Sequence, residues 1–78
     1  MEKVIKVYSL STWPHCKTAK EYLSQKGMAY EEFDVGRDKE AAAEMIKISG
    51  ARIVPVIAIV EEVIIGFDTA RIDAALDN

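Results

Sequence analysis

The most apolar run of the chain, residues 54–60, is separated by only two residues from a second apolar run, residues 63–65. Short runs rich in Val and Ile are typical of buried strands. So short a link can join two strands only as an antiparallel hairpin, because a parallel connection needs a crossover of about a dozen residues or more. Tight hairpin turns favour Gly or Asn at positive φ. Glu61 and Glu62 are neither, so we expect a longer or bulged turn here.

Upstream of this hairpin the chain alternates between strand and helix patterns. Residues 4–8 and 29–35 are rich in β-branched and aromatic side chains and predict strands. Between them, residues 16–26 repeat apolar side chains at helical spacing and predict a helix. The side chains expected to face inward from this helix and from the second strand are Cys16, Ala19, Leu23, Tyr30, Phe33 and Val35.

Two further helices complete the pattern. Asp38 can cap a helix over residues 39–49 and Asp68 can cap a short last helix, because an Asp side chain accepts hydrogen bonds from a free first turn. Gly27 and Gly50 are expected to end the first and second helices. The side chains predicted to face inward are Ala42, Met45, Ile46 and Ile48 in the second helix and Ile72, Ala75 and Leu76 in the last.

The element order is therefore β-α-β-α-β-β-α. Strands that alternate with helices are joined by right-handed parallel crossovers, and the hairpin adds one antiparallel pair. We expect an α/β fold with one four-stranded mixed sheet and helices on both faces. A chain of 78 residues leaves no length for a second core, so residues 1–78 are expected to form one domain.

Composition excludes several classes of function. The net charge of −3 and the scattered basic residues argue against nucleic-acid binding and against an anionic membrane surface. No apolar stretch approaches the roughly 20 residues of a membrane-spanning helix. A single cysteine excludes an intrachain disulfide, and no apolar signal segment precedes the first strand, so we expect a cytoplasmic protein. No metal site is expected, because one His beside one Cys cannot supply four ligands.

A short motif, Trp13-Pro14-His15-Cys16, lies between the first strand and the first helix. Pro14 suits the first helical position, where a missing N–H costs nothing. Trp13 then lies at or near the N-cap, although an indole cannot accept the hydrogen bonds that cap a helix. A helix N-terminus is a place where a reactive thiolate would be stabilised.

The pattern resembles the glutaredoxin family over residues 3–76. A strand leads into x-Pro-x-Cys at the start of a helix, Val54-Pro55 precedes a second apolar strand, and Gly66-Phe67-Asp68 precedes the last helix. The resemblance implies the thioredoxin fold, with strand order two, one, three, four. It also implies thiol–disulfide exchange with protein or small-molecule disulfides.

The family motif is Cys-Pro-x-Cys, in which the first cysteine is the nucleophile and the second resolves the mixed disulfide. Those positions fall on Trp13 and Cys16, so the chain as written lacks the nucleophile. Trp13 is either a replacement of that residue, natural or engineered, or an aromatic anchor in a redox-dead binding module. Cysteine, tryptophan and selenocysteine codons differ only in the third base, so recoding is a third origin. Cys16 is either a resolving thiol or an inert buried residue, and His15 is either a tuning imidazole or an exposed spacer.

The resemblance also assigns binding residues. Pro55 is expected to follow a cis peptide bond, which leaves the backbone of Val54 free to pair with an extended substrate. In the family, the turn that matches residues 66–68 binds the γ-glutamyl carboxylate of glutathione through backbone N–H groups and the Asp. Arg52 matches a position that contacts the glycine carboxylate.

The electron donor is left open between glutathione and thioredoxin reductase. Many family members carry a lysine where this chain has Leu10, which weakens the case for glutathione. Phe67 resembles redoxins that serve ribonucleotide reductase and draw electrons from thioredoxin reductase. No bound cofactor is expected, and the protein is expected to be a monomer.

Overall fold

The computed structural model describes residues 4–10 and 12–77. Within these residues, four strands and three helices follow in the predicted order, and their ends differ from the predicted ends by at most two residues. The elements are β1 (Ile5–Ser9), α1 (Pro14–Gln25), β2 (Glu31–Asp34), α2 (Lys39–Ser49), β3 (Val56–Ile59), β4 (Glu62–Ile65) and α3 (Thr69–Asp77).

The four strands form one mixed sheet in the order β2-β1-β3-β4. β1 pairs in parallel with β2 and antiparallel with β3, and β3 pairs antiparallel with β4. In the register of the sheet, Tyr8 lies opposite Phe33 on one side and Val56 on the other. The order and the connections are those of the thioredoxin fold, as predicted.

Alternation along the strands divides the core into two layers. Side chains of one face pack against α1 and α3, and those of the other face pack against α2. The first layer contains Ile5, Val7, Ala19, Leu23, Ile57, Ile59, Ile64, Ile72 and Ala75. The second contains Tyr8, Cys16, Ala41, Met45, Val54 and Val56. Helices therefore cover both faces, and the inward side predicted for α3 is confirmed.

The inward side predicted for α2 is wrong in part. Ala41 and Met45 are buried, whereas Ile46 and Ile48 are 37% and 38% exposed and Ala42 is only half-buried. One turn after Met45 in the same row lies the half-buried Ser49, whose hydroxyl donates to the Met45 carbonyl at 2.5 Å. A single helix covers this face, so only its narrow i, i+4 row reaches the sheet. The prediction followed hydrophobicity rather than this row.

The helix caps follow the predictions. Asp38 accepts hydrogen bonds from the N–H groups of Glu40 and Ala41, and Asp68 accepts one from Arg71 at 3.2 Å. Gly50, the C-cap of α2, adopts φ 70°, a left-handed conformation that only glycine reaches without strain.

The turn between β3 and β4 is tighter than predicted. Ile59 pairs with Glu62, so the loop has two residues, Val60 and Glu61. Val60 has φ 56° and is 63% exposed, and it is the one non-glycine residue with positive φ in the described part of the chain. A positive φ at the first loop position is the pattern of a type II′ turn, where glycine is preferred. Pairing of the apolar strands sets the loop length and forces Val60 into this conformation.

A polar network joins α1 to α3. The Tyr22 hydroxyl donates to Asp73 at 2.5 Å, and the Lys26 ammonium lies 2.9 Å from the same carboxylate. Phe67 meets the Tyr22 ring edge-on, with centroids 5.6 Å apart. The hydrogen bonds from Tyr22 and then Lys26 lower the pKa of the Asp73 carboxyl, and the bond to Asp73 raises the pKa of the Tyr22 hydroxyl.

Replacing Val60 by glycine should raise the free energy of unfolding by about 1 kcal/mol, because glycine adopts positive φ without the clash that a side chain suffers. Urea unfolding followed by circular dichroism measures the change. The matched control is Glu61→Gly. Glu61 has no positive φ, so glycine there should lower stability by roughly 0.5–1 kcal/mol. Destabilisation by both variants would contradict the strain at Val60.

Replacing Asp73 by asparagine should lower the urea midpoint at pH 7. The pKa of Asp73 is depressed in the folded state, so its stabilisation is present above the ordinary value of 3.8 and is lost as the pH falls below it. The midpoints of Asp73→Asn and the unmodified chain should therefore converge as the pH is lowered from 7 to below 3.8. Asp77→Asn is the control, since Asp77 makes no ion pair within residues 4–10 and 12–77. A constant difference across this range would contradict the assignment.

Candidate functional site

The loop after β1 delivers Trp13 to the N-terminus of α1. Trp13 is the N-cap residue and Pro14 begins the helix, as predicted. The Trp13 N–H donates to the Leu10 carbonyl and the Cys16 N–H donates to the Trp13 carbonyl, each at 3.1 Å. The indole is 48% exposed and makes no capping hydrogen bond. The N-cap of α1 therefore offers no side-chain acceptor to the free N–H groups of the first turn.

Cys16 lies one turn into α1 and is 1% exposed. It packs in the layer on the α2 side, with Tyr8, Met45 and Val54, rather than with the rest of the buried stripe of α1. The Leu10 N–H points at its sulfur, with nitrogen and sulfur 3.5 Å apart. The predicted burial is confirmed, and the thiol is held against the loop that carries Trp13.

The Val54–Pro55 segment reaches the same cluster through Val54. The peptide bond between these residues is cis, and both residues are buried. Val54 and Cys16 belong to one packed cluster, so two segments almost forty residues apart in sequence meet there. No hydrogen bond of the described part of the chain uses the backbone N–H or C=O of Val54. An extended peptide could therefore pair with this residue.

The turn before α3 adjoins the cis-proline. The Gly66 N–H donates to the Pro55 carbonyl at 2.8 Å. Phe67 is half-buried and is held by its edge contact with Tyr22. Asp68 is exposed, and its carboxylate caps α3. The structure therefore brings Gly66 directly to Pro55 and places Phe67 and Asp68 beside it.

Two predicted site residues, His15 and Arg52, do not belong to the cluster that contains Cys16. His15 and Arg52 are exposed, and the side chain of neither makes a hydrogen bond or an ion pair within the described residues. Ile53, next to Arg52, is also exposed. The rim of the site thus carries an imidazole, a guanidinium and two large apolar side chains, those of Ile53 and Trp13.

Two residues that the sequence analysis did not assign to the site shape its loop. Leu10 packs half-buried against the cluster that contains Cys16. A Cβ atom added to Gly36 would lie 2.7 Å from the Leu10 side chain, closer than real contacts allow. Gly36 therefore makes room for Leu10. In the sequence, Gly36 is marked only by its place two residues after β2, which does not reveal its contact with Leu10.

Two features are absent from residues 4–10 and 12–77. No helix there has the length and apolarity needed to cross a membrane. No group of three or more His, Cys, Asp or Glu side chains there could hold a metal ion.

Known proteins similar to this chain in sequence and in structure include glutaredoxins and glutaredoxin-like proteins. The glutaredoxin family model matches residues 5–64, which include both halves of the site. An uncharacterized glutaredoxin-like 8.6 kDa protein in the rubredoxin operon of Clostridium pasteurianum is 39% identical over 75 residues, 96% of this chain and 100% of that protein. Glutaredoxin 3 of Escherichia coli K12 is 38% identical over 64 residues, 82% of this chain and 77% of that protein. The structure of the glutaredoxin grx-1 from Archaeoglobus fulgidus has a TM-score of 0.89 at 25% identity, covering 97% of this chain and 88% of that one.

Burial predicts that Cys16 is slow to react. At pH 7, iodoacetamide should modify it roughly 100-fold more slowly than free cysteine, which corresponds to a local opening free energy of about 3 kcal/mol. Mass spectrometry of timed samples measures the rate. Ser24→Cys in a Cys16→Ser background places a thiol on the exposed side of α1 and is the control. Equal rates for the two thiols would contradict the burial of Cys16.

Proposed function

Because the chain belongs to the glutaredoxin family, we propose that its site is a thiol–disulfide exchange centre with its nucleophile position at residue 13, and that tryptophan there leaves the centre redox-inactive. The observation that supports this most directly is the arrangement around Cys16. Residue 13 is the N-cap of α1, Cys16 lies one turn later, and Val54 packs in the same cluster as Cys16. This arrangement supports an exchange centre that lacks only its first thiol.

The exchange that this arrangement serves has two steps. A thiolate at position 13 attacks one sulfur of a substrate disulfide, forms a mixed disulfide and releases the first substrate thiolate. The Cys16 thiolate then attacks the sulfur at position 13, forms a 13–16 disulfide and releases the second substrate thiolate. Two electrons pass to the substrate, whose two thiolates take protons from solvent. An external dithiol donor restores the starting state by the same exchange.

Tryptophan cannot perform the first step. Attack on a disulfide needs a thiolate, and the indole nitrogen is not a nucleophile of that kind. The hydroxyl of Thr18 donates to the Pro14 carbonyl at 3.1 Å, and a backbone carbonyl is not a base that could activate it. Cys16 is buried, so it does not take over the role of the missing residue.

We propose a donor of the thioredoxin-reductase type rather than glutathione. Glutathione is an anionic tripeptide, and the position of the family lysine is Leu10, which packs into the Cys16 cluster instead of offering a cation. Arg52 is the exposed cation that a carboxylate could still use. The Asp68 carboxylate, which the resemblance assigns to the γ-glutamyl end of glutathione, already accepts a hydrogen bond from the Arg71 N–H at the start of α3. The proposed setting is a monomer in the reducing cytoplasm, acting on protein or small-molecule disulfides.

A second function is favoured by the exposure of Trp13. A 48% exposed indole beside an unpaired backbone at Val54 and an exposed Ile53 could hold an extended peptide without chemistry. In that case the chain is a binding module, and tryptophan contributes the anchor.

Replacing Trp13 by cysteine distinguishes these functions. The unmodified chain should not reduce a small model disulfide above background, whereas Trp13→Cys should turn over at about 1 s⁻¹ or faster with a supplied donor. The new thiol should titrate below about 8.5, because the first turn of α1 offers free N–H groups and a positive dipole end. The assay compares thioredoxin reductase with glutathione as donor, and we expect the reductase to be preferred.

Two control variants test the roles of residues 13 and 16 separately. Trp13→Ser should remain inactive, and Trp13→Cys with Cys16→Ser should trap a mixed disulfide visible by mass spectrometry. A folded Trp13→Cys variant that stays inactive with both donors would overturn the exchange centre and favour the binding module.

A further inference from the structure

A second concave surface lies at the end of the sheet opposite Trp13. It has a volume of about 420 Å³ and is formed between α2 and the β3–β4 hairpin. We call it the far groove. Its lining comprises Val4, Lys6, Tyr8, Glu44, Ile48, Ala58, Val60, Glu61 and Val63. Because β1 runs toward the exchange site and β3 runs away from it, the start of β1 and the end of β3 lie far from that site.

The walls of the far groove are apolar and uncovered. Val4 and Val60 are 60% and 63% exposed, and Ile48 is 38% exposed. Ala58 and Val63 are half-buried beneath them. Ile48 is one of the residues predicted to reach the core, but it faces the groove because the buried row of α2 runs through Ala41 and Met45. Clustered exposure of this kind is typical of interaction sites.

Val60 is also strained. Its φ of 56° is unfavourable for a β-branched residue, and glycine would relieve it. The Val60 side chain contributes little packing to the folded chain, because it is mostly exposed. Strained residues cluster at sites where proteins bind or switch. An exposed apolar side chain kept in a costly conformation indicates a use outside the domain.

Two carboxylates and one ammonium group line the far groove. Glu44 accepts a hydrogen bond from the Tyr8 hydroxyl at 2.9 Å and lies 3.7 Å from the Lys6 ammonium. Glu61 is exposed, and its side chain makes no ion pair within the described part of the chain. Lys6 is already paired with Glu44, so Glu61 is the carboxylate of the groove without an ion pair in the described residues. Two copies docked groove to groove would each present this carboxylate, which disfavours self-association. A basic partner gains from the same charges.

We propose that the far groove docks a short segment of a partner protein, which inserts an apolar side chain among Val4, Ile48 and Val60 and places a Lys or Arg beside Glu61. Of the buried residues in the Cys16 cluster, only Tyr8 lines the far groove. The docking walls at Val4, Ile48 and Val60 do not belong to that cluster, so this inference does not depend on the activity of residue 13. A partner held here leaves Val54 and Trp13 open to a substrate.

The test is a nuclear magnetic resonance titration of the full chain with a capped peptide, Lys-Leu-Lys-Leu-Lys. Amide signals of Val4, Ile48 and Val60 should shift with a Kd of about 0.1–1 mM, and those of Trp13 and Val54 should not. Peptides with Glu in place of Lys, or Ser in place of Leu, should bind at least about fivefold more weakly.

Matched variants locate the site. Ile46 and Ile48 lie on one helix with nearly equal exposure, and only Ile48 lines the groove. Ile48→Lys should weaken binding at least about fivefold, and Ile46→Lys should leave it unchanged. Glu61→Gln should weaken binding of the basic peptide. Val60→Gly should also weaken it while the fold becomes more stable, which a purely structural role would not produce.

Several outcomes would overturn the proposal. These are absence of any binding, equal binding of the acidic peptide, equal effects of the two isoleucine variants, and shifts confined to the exchange site. If the same signals shift with protein concentration alone, the occupant is a second copy and the proposed partner is wrong.

Discussion

The pairing of β1 with β3 is the constraint on which the site depends. Because the two strands are antiparallel and Tyr8 lies opposite Val56, the loop that follows β1 meets the segment that precedes β3. This single register places Trp13 and Cys16 near Val54 and Pro55, although the two segments are remote in sequence. The antiparallel hairpin then adds β4, and the hydrogen bond from Gly66 to Pro55 places the start of α3 at the same end. A shift of the register by one residue would reverse the faces of β3 and separate these groups.

Burial of Cys16 and exposure of Trp13 are two consequences of one helix start. Pro14 sets the first turn, and the loop before it turns the indole outward while the chain one turn later enters the core. In an exchange site the outward position is the one that meets the substrate, and the inward position needs protection from unrelated oxidants. The geometry therefore suits two different thiols. In the proposed exchange centre, Cys16 is the protected thiol, and the exposed position carries the indole of Trp13.

The sheet has contrasting ends. At the end near Trp13, the cis-proline segment, the helix start and the Gly66 turn are tied by backbone hydrogen bonds and by packing around Cys16. At the other end, a two-residue turn holds Val60 in a strained conformation, and one helix leaves apolar side chains uncovered. Packing of Tyr8 connects the two, since it belongs to the Cys16 cluster and its hydroxyl bonds Glu44 at the groove. Burial and this hydrogen bond raise the pKa of Tyr8 to about 12, so the contact persists across the physiological range.

Local patterns in the sequence determined the elements, their order, the caps of α2 and α3 and the positions of the motif residues. These depend on side-chain periodicity and on hydrogen bonds between near neighbours, and both can be read from a short window. Tertiary structure alone decided the buried row of α2, because exposure of Ile46 and Ile48 depends on how much of the sheet one helix covers. It also decided the tight turn at Val60, since the register of two apolar strands outweighed the preference of the loop residues. Tertiary structure also decided two contacts between remote segments: the close approach of Gly36 to Leu10 and the packing of Cys16 and Val54 in one cluster. The sequence does not specify how far apart such segments lie in space.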